Sequence, residues 1–223
     1  MWFLQDGMTL QKAIMNILAI LITIFVVMPI HEWAHGFVAY KFGDNTAKYS
    51  GRLTLNPLAH IDPLGAAAMI LFRFGWAKPV PVDARNFKNP KVGMALTALA
   101  GPMSNIIAAL IAAIGLNSLI YFGRSTIPYD ALSYIISFMY SFIKINIGLA
   151  VFNLLTLPPL DGSKILAAFL PNKFLFKYYQ YERYIIFAVF FLLFTNILLI
   201  PLILLQNLVL SGIIWLAALP FGI

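Results

Sequence analysis

Long apolar runs separated by short polar segments make up most of this chain. About 20 consecutive apolar residues are enough for an α-helix to cross the hydrocarbon core of a membrane. The runs therefore predict spanning helices at residues 9–42, 92–122, 131–157 and 184–205, followed by a short or tilted helix at 208–219. Within the second run, Pro102 predicts a local break, and the small residues beside it favour close contact with a neighbouring helix.

Two shorter stretches do not fit a spanning helix. The apolar stretch at 61–77 is uninterrupted only from 64 to 72, so a re-entrant or tilted hairpin is favoured over a full crossing. Residues 49–55 include a short alternating pattern, compatible with an edge strand or hairpin. We therefore expect an all-α polytopic membrane protein of about five or six transmembrane or re-entrant helices, with a short β-hairpin or strand near 49–55. Residues 1–223 are predicted to form one domain, with a core at 9–165 and C-terminal helices at 183–221.

Composition supports the membrane assignment. The chain is 61% hydrophobic and only 10% charged, and its mean hydropathy is +0.88, whereas a soluble domain carries about 25% charged residues. No basic segment and small-residue cleavage site surround the first run, which is therefore predicted to be a retained span. The absence of cysteine excludes disulfides, cysteine-ligated zinc and a thiol nucleophile.

The net charge is +7. The basic residues lie in short loops beside apolar runs, which indicates how the chain is oriented in a membrane rather than nucleic-acid binding. With 61–77 re-entrant, one side of the membrane has ten of them: Lys41, Lys48, Arg52, Lys78, Arg85, Lys88, Lys91, Lys173, Lys177 and Arg183. The opposite side has only Lys12 and Arg124. The positive-inside rule then places the loops after the first helix in the cytoplasm.

The strongest chemical signal is His31-Glu32-x-x-His35 near the end of the first predicted helix. On a helix, residues four apart project from one face, so the two imidazoles can bind one Zn²⁺ with Glu32 beside it. Ionisable residues inside a membrane span are costly and mark functional sites by default. From His31 to Phe42 the helix rises about 18 Å, which places the metal within the membrane.

A catalytic zinc needs a third protein ligand, and the chain offers few candidates. His60 is the one other histidine. Asp161 follows Pro158-Pro159 at the end of a span that returns to the cytoplasmic side, which His35 also faces. Taken alone, the Asp161-Gly162 pair also fits an ordinary turn or helix cap.

Several motifs in this order resemble the site-2 protease family of intramembrane zinc metalloproteases, and most closely its minimal bacterial branch without PDZ or CBS domains. They lie at residues 31–35, 51–57, 60–65, 75–81, 100–102 with Asn105, and 153–162. The resemblance implies that His31, His35 and Asp161 bind one zinc and that Glu32 is the general acid/base. It also implies that Asn153 lies near the site, as a substrate or oxyanion contact.

The predicted function is hydrolysis of peptide bonds within or near transmembrane helices of membrane-protein substrates, by zinc-activated water with Glu32 as general acid/base. The expected surroundings are the lipid bilayer of a bacterial plasma membrane, with the site toward the cytoplasm and no nucleic-acid partner. The substrate must unwind locally, and residues 49–55 or 80–82 are candidates to pair with it. The alternatives are a metal-binding membrane transporter and a catalytically silent binding partner.

Four polar residues keep two interpretations each. His60 is either a ligand or gate, or a loop histidine bonded to backbone. Lys144, in mid-span, either faces a water-filled cavity or is a paired structural lysine. Asn146 is favoured as a bridge between helices, whereas Asn105 either bridges helices or points toward the site as a substrate or oxyanion contact.

Overall fold

Four stretches in the described part of the protein are helical, apolar and long enough to cross a membrane. The computed structural model describes residues 9–72, 75–123, 126–195 and 197–222. The four stretches are Leu10–Lys41, Pro90–Gly123, Tyr129–Asn153 and Leu199–Phe221. The all-α prediction is therefore confirmed for these residues, and the number of spanning helices is lower than the five or six expected.

The helices are numbered in chain order. They are α1 Leu10–Ile22, α2 Met28–Lys41, α3 Thr46–Tyr49, α4 Pro57–His60, α5 Pro63–Phe72, α6 Pro90–Gly123, α7 Tyr129–Asn153, α8 Asp161–Phe169, α9 Asn172–Gln180, α10 Glu182–Phe194 and α11 Leu199–Ala218.

A wide π-helical turn, Thr23–Val27, joins α1 to α2 without interrupting the helical path. Pro29 follows it in the first turn of α2. In a regular α-helix the proline ring would collide with the carbonyl four residues earlier, which is Phe25. A π-turn at that position relieves the collision, so the backbone is widened just upstream of the histidines.

Helix α6 is the central element and contacts α2, α7, α8 and α11. Its alanines allow these neighbours to approach closely, as small residues do in membrane bundles. One packed cluster consists of Ala109, Ala112, Ala113, Ile143, Ile147, Val151, Leu210, Ile213 and Ala217. The break predicted at Pro102 is wrong, because α6 continues through this buried proline, as helices in apolar surroundings tolerate.

The β-hairpin predicted near 49–55 is wrong. The described chain there forms the short helix α3 and a turn through Gly51, whose φ is +66°. Short polar side chains bond to nearby backbone, since Thr54 accepts from the Asn56 N–H and Asn56 caps α4. Such local bonds compete with strand pairing, and the alternating pattern alone did not reveal them.

The two ends of the stretch at 61–77 lie next to each other. Ile61 and Ala77 form an isolated antiparallel bridge, and the Lys78 N–H donates to the His60 carbonyl at 2.7 Å. A Cβ on Gly75 would lie 2.8 Å from the Met69 Cβ, so glycine allows the returning chain to pack on α5. Residues 73 and 74 lie outside the described residues, but the paired ends agree with the re-entrant prediction.

The spanning helix predicted at 184–205 is also wrong. Helix α10 ends at Phe194, and α11 begins at Leu199 and continues to Ala218. Pro201 lies in the first turn of α11, where a missing N–H costs little. Because the residues on either side of Pro201 are apolar, hydrophobicity alone did not indicate that a helix starts here.

Asp44 ties the end of α2 to the loop that precedes α6. Its buried carboxylate accepts hydrogen bonds from the Thr46 N–H and hydroxyl, the Asp83 N–H at 2.8 Å and the Asn86 amide at 2.7 Å. Burial by itself raises the pKa of the Asp44 carboxyl, but these hydrogen bonds outweigh it and hold the pKa below its ordinary value.

Asp44→Asn is therefore expected to destabilise the fold by about 1–3 kcal/mol at neutral pH, because an amide cannot accept all these donors. A folded-state pKa below the unfolded value of about 3.9 gives stabilisation that is complete above that value. The stabilisation is lost as pH falls through the folded-state pKa. Thermal unfolding in detergent should show a lower midpoint for Asp44→Asn near pH 7 and a weaker loss of stability toward acid.

Asp83→Asn is the matched control. The Asp83 carboxylate pairs on the surface with Arg85, which lowers its pKa to about 2, while its buried contact with Asp44 uses only the backbone N–H. A midpoint for Asp83→Asn as low as that for Asp44→Asn would contradict the role given to the Asp44 carboxylate.

Candidate metal centre

The two motif histidines project from α2 toward α6. Both are buried, and their Nε2 atoms lie 3.1 Å apart. The His35 Nδ1 lies 2.7 Å from the Thr97 carbonyl oxygen, and the His31 Nδ1 lies 2.8 Å from the Asn105 Oδ1. Both contacts come from α6, so this helix orients both imidazoles.

These contacts determine which ring nitrogens carry protons. Carbonyl and amide oxygens only accept hydrogen bonds, so each Nδ1 is the donor. In a neutral imidazole the other nitrogen then has a lone pair, and both Nε2 atoms are available as metal ligands. A hydrogen bond of this kind behind a ligating histidine fixes the tautomer and raises its basicity.

Asp161 brings the third ligand atom to the same point. It is the first residue of α8, after the cis Pro158-Pro159 peptide, and an anionic side chain is favoured at a helix N-terminus. A Cβ on Gly162 would lie only 2.5 Å from the carbonyl carbon of Leu154, so glycine lets α8 begin close to the end of α7. Asp161 is thus the first helical residue rather than the cap, which is Leu160, and its carboxylate faces the histidines.

The spacing of the three atoms fits a zinc ion. The Asp161 Oδ2 lies 3.5 Å from the His31 Nε2 and 3.2 Å from the His35 Nε2. Tetrahedral zinc with ligands at 2.0–2.1 Å requires separations of about 3.3 Å between ligand atoms. Three electron-rich atoms this close repel one another unless a cation or proton lies among them. These residues are the His/Asp/Glu group among the described residues that could hold a metal.

Gly101 of α6 leaves the space that the ligands need. A Cβ built there would lie 2.6 Å from the His31 Nε2 and would overlap the His35 Nε2. Glycine at this position therefore keeps the side of the cluster that faces α6 open for an ion.

Glu32 is buried next to the cluster, and its carboxylate has a defined partner. Its Oε2 accepts a hydrogen bond of 2.9 Å from the Val80 N–H. Val80 lies between Pro79 and Pro81 in the segment 78–82, which these prolines keep out of helix. The contact between the Val80 N–H and Glu32 was not predicted.

The two asparagines predicted as substrate or oxyanion contacts occupy different positions. Asn105 is buried on α6 and reaches the cluster through His31. Asn153 is the last residue of α7, and no described hydrogen bond joins it to the cluster. Their roles toward substrate stay predictions. Sequence reasoning missed the Thr97 carbonyl, because a backbone acceptor has no residue-type signal.

The remaining polar residues have structural partners. The His60 Nε2 bonds to the Thr54 carbonyl at 2.8 Å, as the backbone-bonded interpretation expected, although His60 ends α4 rather than lying in a loop. Its Nδ1 is buried without a described partner. The Lys144 ammonium lies 5.6 Å from the centre of the Tyr140 ring. The Asn146 amide bonds to the Phe142 carbonyl within α7.

Fold and site together define a class of protein. It is a membrane protein with apolar helices, and it carries a His/His/Asp cluster that could hold a metal ion beside a buried glutamate.

Comparison with known proteins extends this assignment. The "Putative zinc metalloprotease YwhC" of Bacillus subtilis is 42% identical over 174 residues, which cover 77% of this chain and 79% of that protein. The "Putative zinc metalloprotease Rip2" of Mycolicibacterium smegmatis is 28% identical over 137 residues, which cover 60% of this chain and 50% of Rip2. Rip2 of Mycobacterium tuberculosis is 26% identical over 142 residues, 61% of this chain and 51% of that protein. No family model and no solved structure matches.

The YwhC likeness spans most of both chains at high identity. This chain therefore belongs to the site-2 protease-like family of zinc metalloproteases.

Proposed function

We propose that this protein is an intramembrane zinc endopeptidase that hydrolyses peptide bonds within or near transmembrane helices of membrane-protein substrates. The observation that carries the proposal is the cluster of His31, His35 and Asp161, whose ligand atoms have near-tetrahedral spacing. The two histidines and the adjacent Glu32 lie on a 32-residue apolar helical stretch. The family relationship supports the choice of zinc and of proteolysis.

Each residue of the site has a task in this proposal. His31, His35 and Asp161 would hold the ion, with Thr97 and Asn105 orienting the imidazoles. Bound zinc would supply Lewis acidity, which makes water acidic near neutral pH and polarises the scissile carbonyl. Glu32 would accept the proton of the attacking water and deliver it to the leaving amine.

A peptide bond in a transmembrane helix is protected by the hydrogen bonds of that helix, so the substrate would have to unwind before cleavage. Pairing of the unwound strand with residues 49–55 loses support because they form no strand. Residues 80–82 could still pair with the unwound substrate, but the Val80 N–H is already bonded to Glu32 and would not take part.

The charge distribution supports a site on the cytoplasmic side of a bacterial plasma membrane. The chain from Lys41 to Lys91 contains eight of the 15 lysines and arginines, and short cytoplasmic loops are enriched in these residues. The paired ends of the 61–77 stretch keep these loops on one side. Arg124, counted on the opposite side, lies outside the described residues.

Metal removal tests the proposal. The purified protein in lipid nanodiscs should cleave members of a panel of single-span membrane proteins, lose cleavage after dialysis against a chelator, and regain it with zinc. Mass spectrometry of the fragments should locate the cut within or next to the apolar segment of the substrate. Cleavage that survives complete zinc removal, or no cleavage across a broad panel, would contradict the proposal.

A further inference from the structure

The extended segment 78–82 lies against α2 and is attached at both ends. At one end, the Lys78 N–H donates to the His60 carbonyl at 2.7 Å. Just beyond the other end, the Asp83 N–H donates to the Asp44 carboxylate at 2.8 Å. We call residues 78–82 the strap.

Arg52 holds the strap from the side. Its Nη2 donates to the Lys78 carbonyl at 2.7 Å and to the Pro79 carbonyl at 3.3 Å. Its own N–H bonds to the Ala47 carbonyl at 2.8 Å, which fixes its backbone to the end of α3. The Arg52 Nε is buried and has no partner among the described residues, and leaving a buried donor unpaired costs free energy. This cost falls on the same guanidinium group that contacts the strap.

Val80 connects the strap to the candidate catalytic residue. It lies between Pro79 and Pro81, which have no N–H, so its N–H is the one donor of these three residues. That N–H bonds to the Glu32 Oε2 at 2.9 Å. One helical turn after Glu32, a Cβ on Gly36 would lie 3.2 Å from the Val80 Cγ1, so the absent side chain gives Val80 its place against α2.

We infer that Arg52 is a positioning residue: it holds the Lys78 and Pro79 carbonyls so that the Val80 N–H fixes the orientation of the Glu32 carboxylate. The inference rests on the proposed function, in which Glu32 transfers the proton. Because Oε2 is held, the other oxygen of the Glu32 carboxylate has a fixed orientation for the proton transfer. A reacting group that is already oriented loses less conformational entropy on reaching the transition state.

Amide hydrogen exchange tests whether Arg52 holds the strap, without relying on activity. Within the strap only Lys78, Val80 and Val82 have amide hydrogens, so a proteolytic peptide covering it reports very few sites. Arg52→Ala should speed hydrogen–deuterium exchange in this peptide by about tenfold or more, and Arg52→Lys by less, because lysine keeps one cationic donor. Arg85→Ala is the matched control, since Arg85 is exposed and pairs with Asp83.

Kinetics test the consequence. Arg52→Ala should lower kcat about tenfold with zinc content and KM nearly unchanged, as expected for a loss confined to the transition state. Val80→Pro removes the donor itself and should lower kcat at least as much. Arg85→Ala, which removes only an exposed ion pair with Asp83, should stay within about threefold of the wild type.

The outcomes separate the two proposals. If hydrogen–deuterium exchange of the strap is unchanged in Arg52→Ala, Arg52 does not hold the strap, whatever the activity. Faster exchange with an unchanged or higher kcat overturns the positioning role and identifies the strap as a dispensable cover. A wild-type protein that cleaves nothing overturns the proposed function, and with it the role in proton transfer, while the exchange result still decides whether Arg52 holds the strap.

Discussion

Replacing Glu32 with glutamine is expected to reduce cleavage of a single-span substrate by about 10³-fold while leaving the bound zinc unchanged. The amide has nearly the size of the carboxylate, and its oxygen can still accept the Val80 N–H. It cannot take a proton from water at neutral pH, so only the proton-transfer function is removed. Initial cleavage rates and zinc analysis of the same preparation measure both quantities.

Glu182→Gln is the control, because Glu182 is the other glutamate of the chain and lies at the start of α10. It should cleave at the wild-type rate. If Glu32→Gln retained more than about a tenth of that rate, Glu32 would not be the general base. If it instead lost zinc, its role would be to support the metal cluster.

Much of the membrane frame could be predicted from hydrophobicity. Apolar runs of spanning length have few alternatives to a helix in lipid, since every backbone group must bond within its own segment. This constraint predicted the α1–α2 stretch, α6 and α7 within a few residues. It also predicted that 61–77 would not cross, and the paired Ile61 and Ala77 agree.

The errors fall where local bonds or chain breaks decide the structure. Alternation at 49–55 suggested a strand, but Thr54 and Asn56 bond to nearby backbone instead. Pro102 suggested a break, yet α6 continues through it because its apolar surroundings keep the helix intact. The boundary between α10 and α11 lies between equally apolar segments, so hydrophobicity placed it incorrectly.

The residues of the candidate site also differ in whether the sequence could predict them. His31 and His35 could be paired from helical spacing alone, since the interaction is local. Asp161 required a long-range contact that the charge bias made plausible and the family resemblance implied. The Thr97 carbonyl and the Val80 N–H were not predictable, because backbone groups are the same at every residue. The close approach of Gly101 to the histidines depends on the packing of α6 against α2.

Gly101→Ala is expected to weaken zinc binding by at least about 100-fold, the upper range for disturbing residues around a metal site, and to abolish cleavage as a consequence. The new methyl group would overlap the His35 Nε2 and lie 2.6 Å from the His31 Nε2. The imidazoles cannot withdraw easily, because their Nδ1 atoms are bonded to the Thr97 carbonyl and Asn105 of the same helix. Competition with a zinc chelator of known affinity measures the effect, and circular dichroism checks the helical fold.

Gly115→Ala is the matched control on the same helix. A Cβ there would meet only the Met139 Cε at 3.6 Å, an ordinary van der Waals contact, so zinc affinity and cleavage should match the wild type. Alanine is also favoured over glycine inside a helix by roughly 0.5–1 kcal/mol, so this variant should not be less stable. Wild-type zinc affinity in a folded Gly101→Ala protein would mean that the ion does not lie between the two Nε2 atoms beside α6. Equal zinc loss in both variants would attribute the effect to α6 packing rather than to the space that Gly101 leaves open.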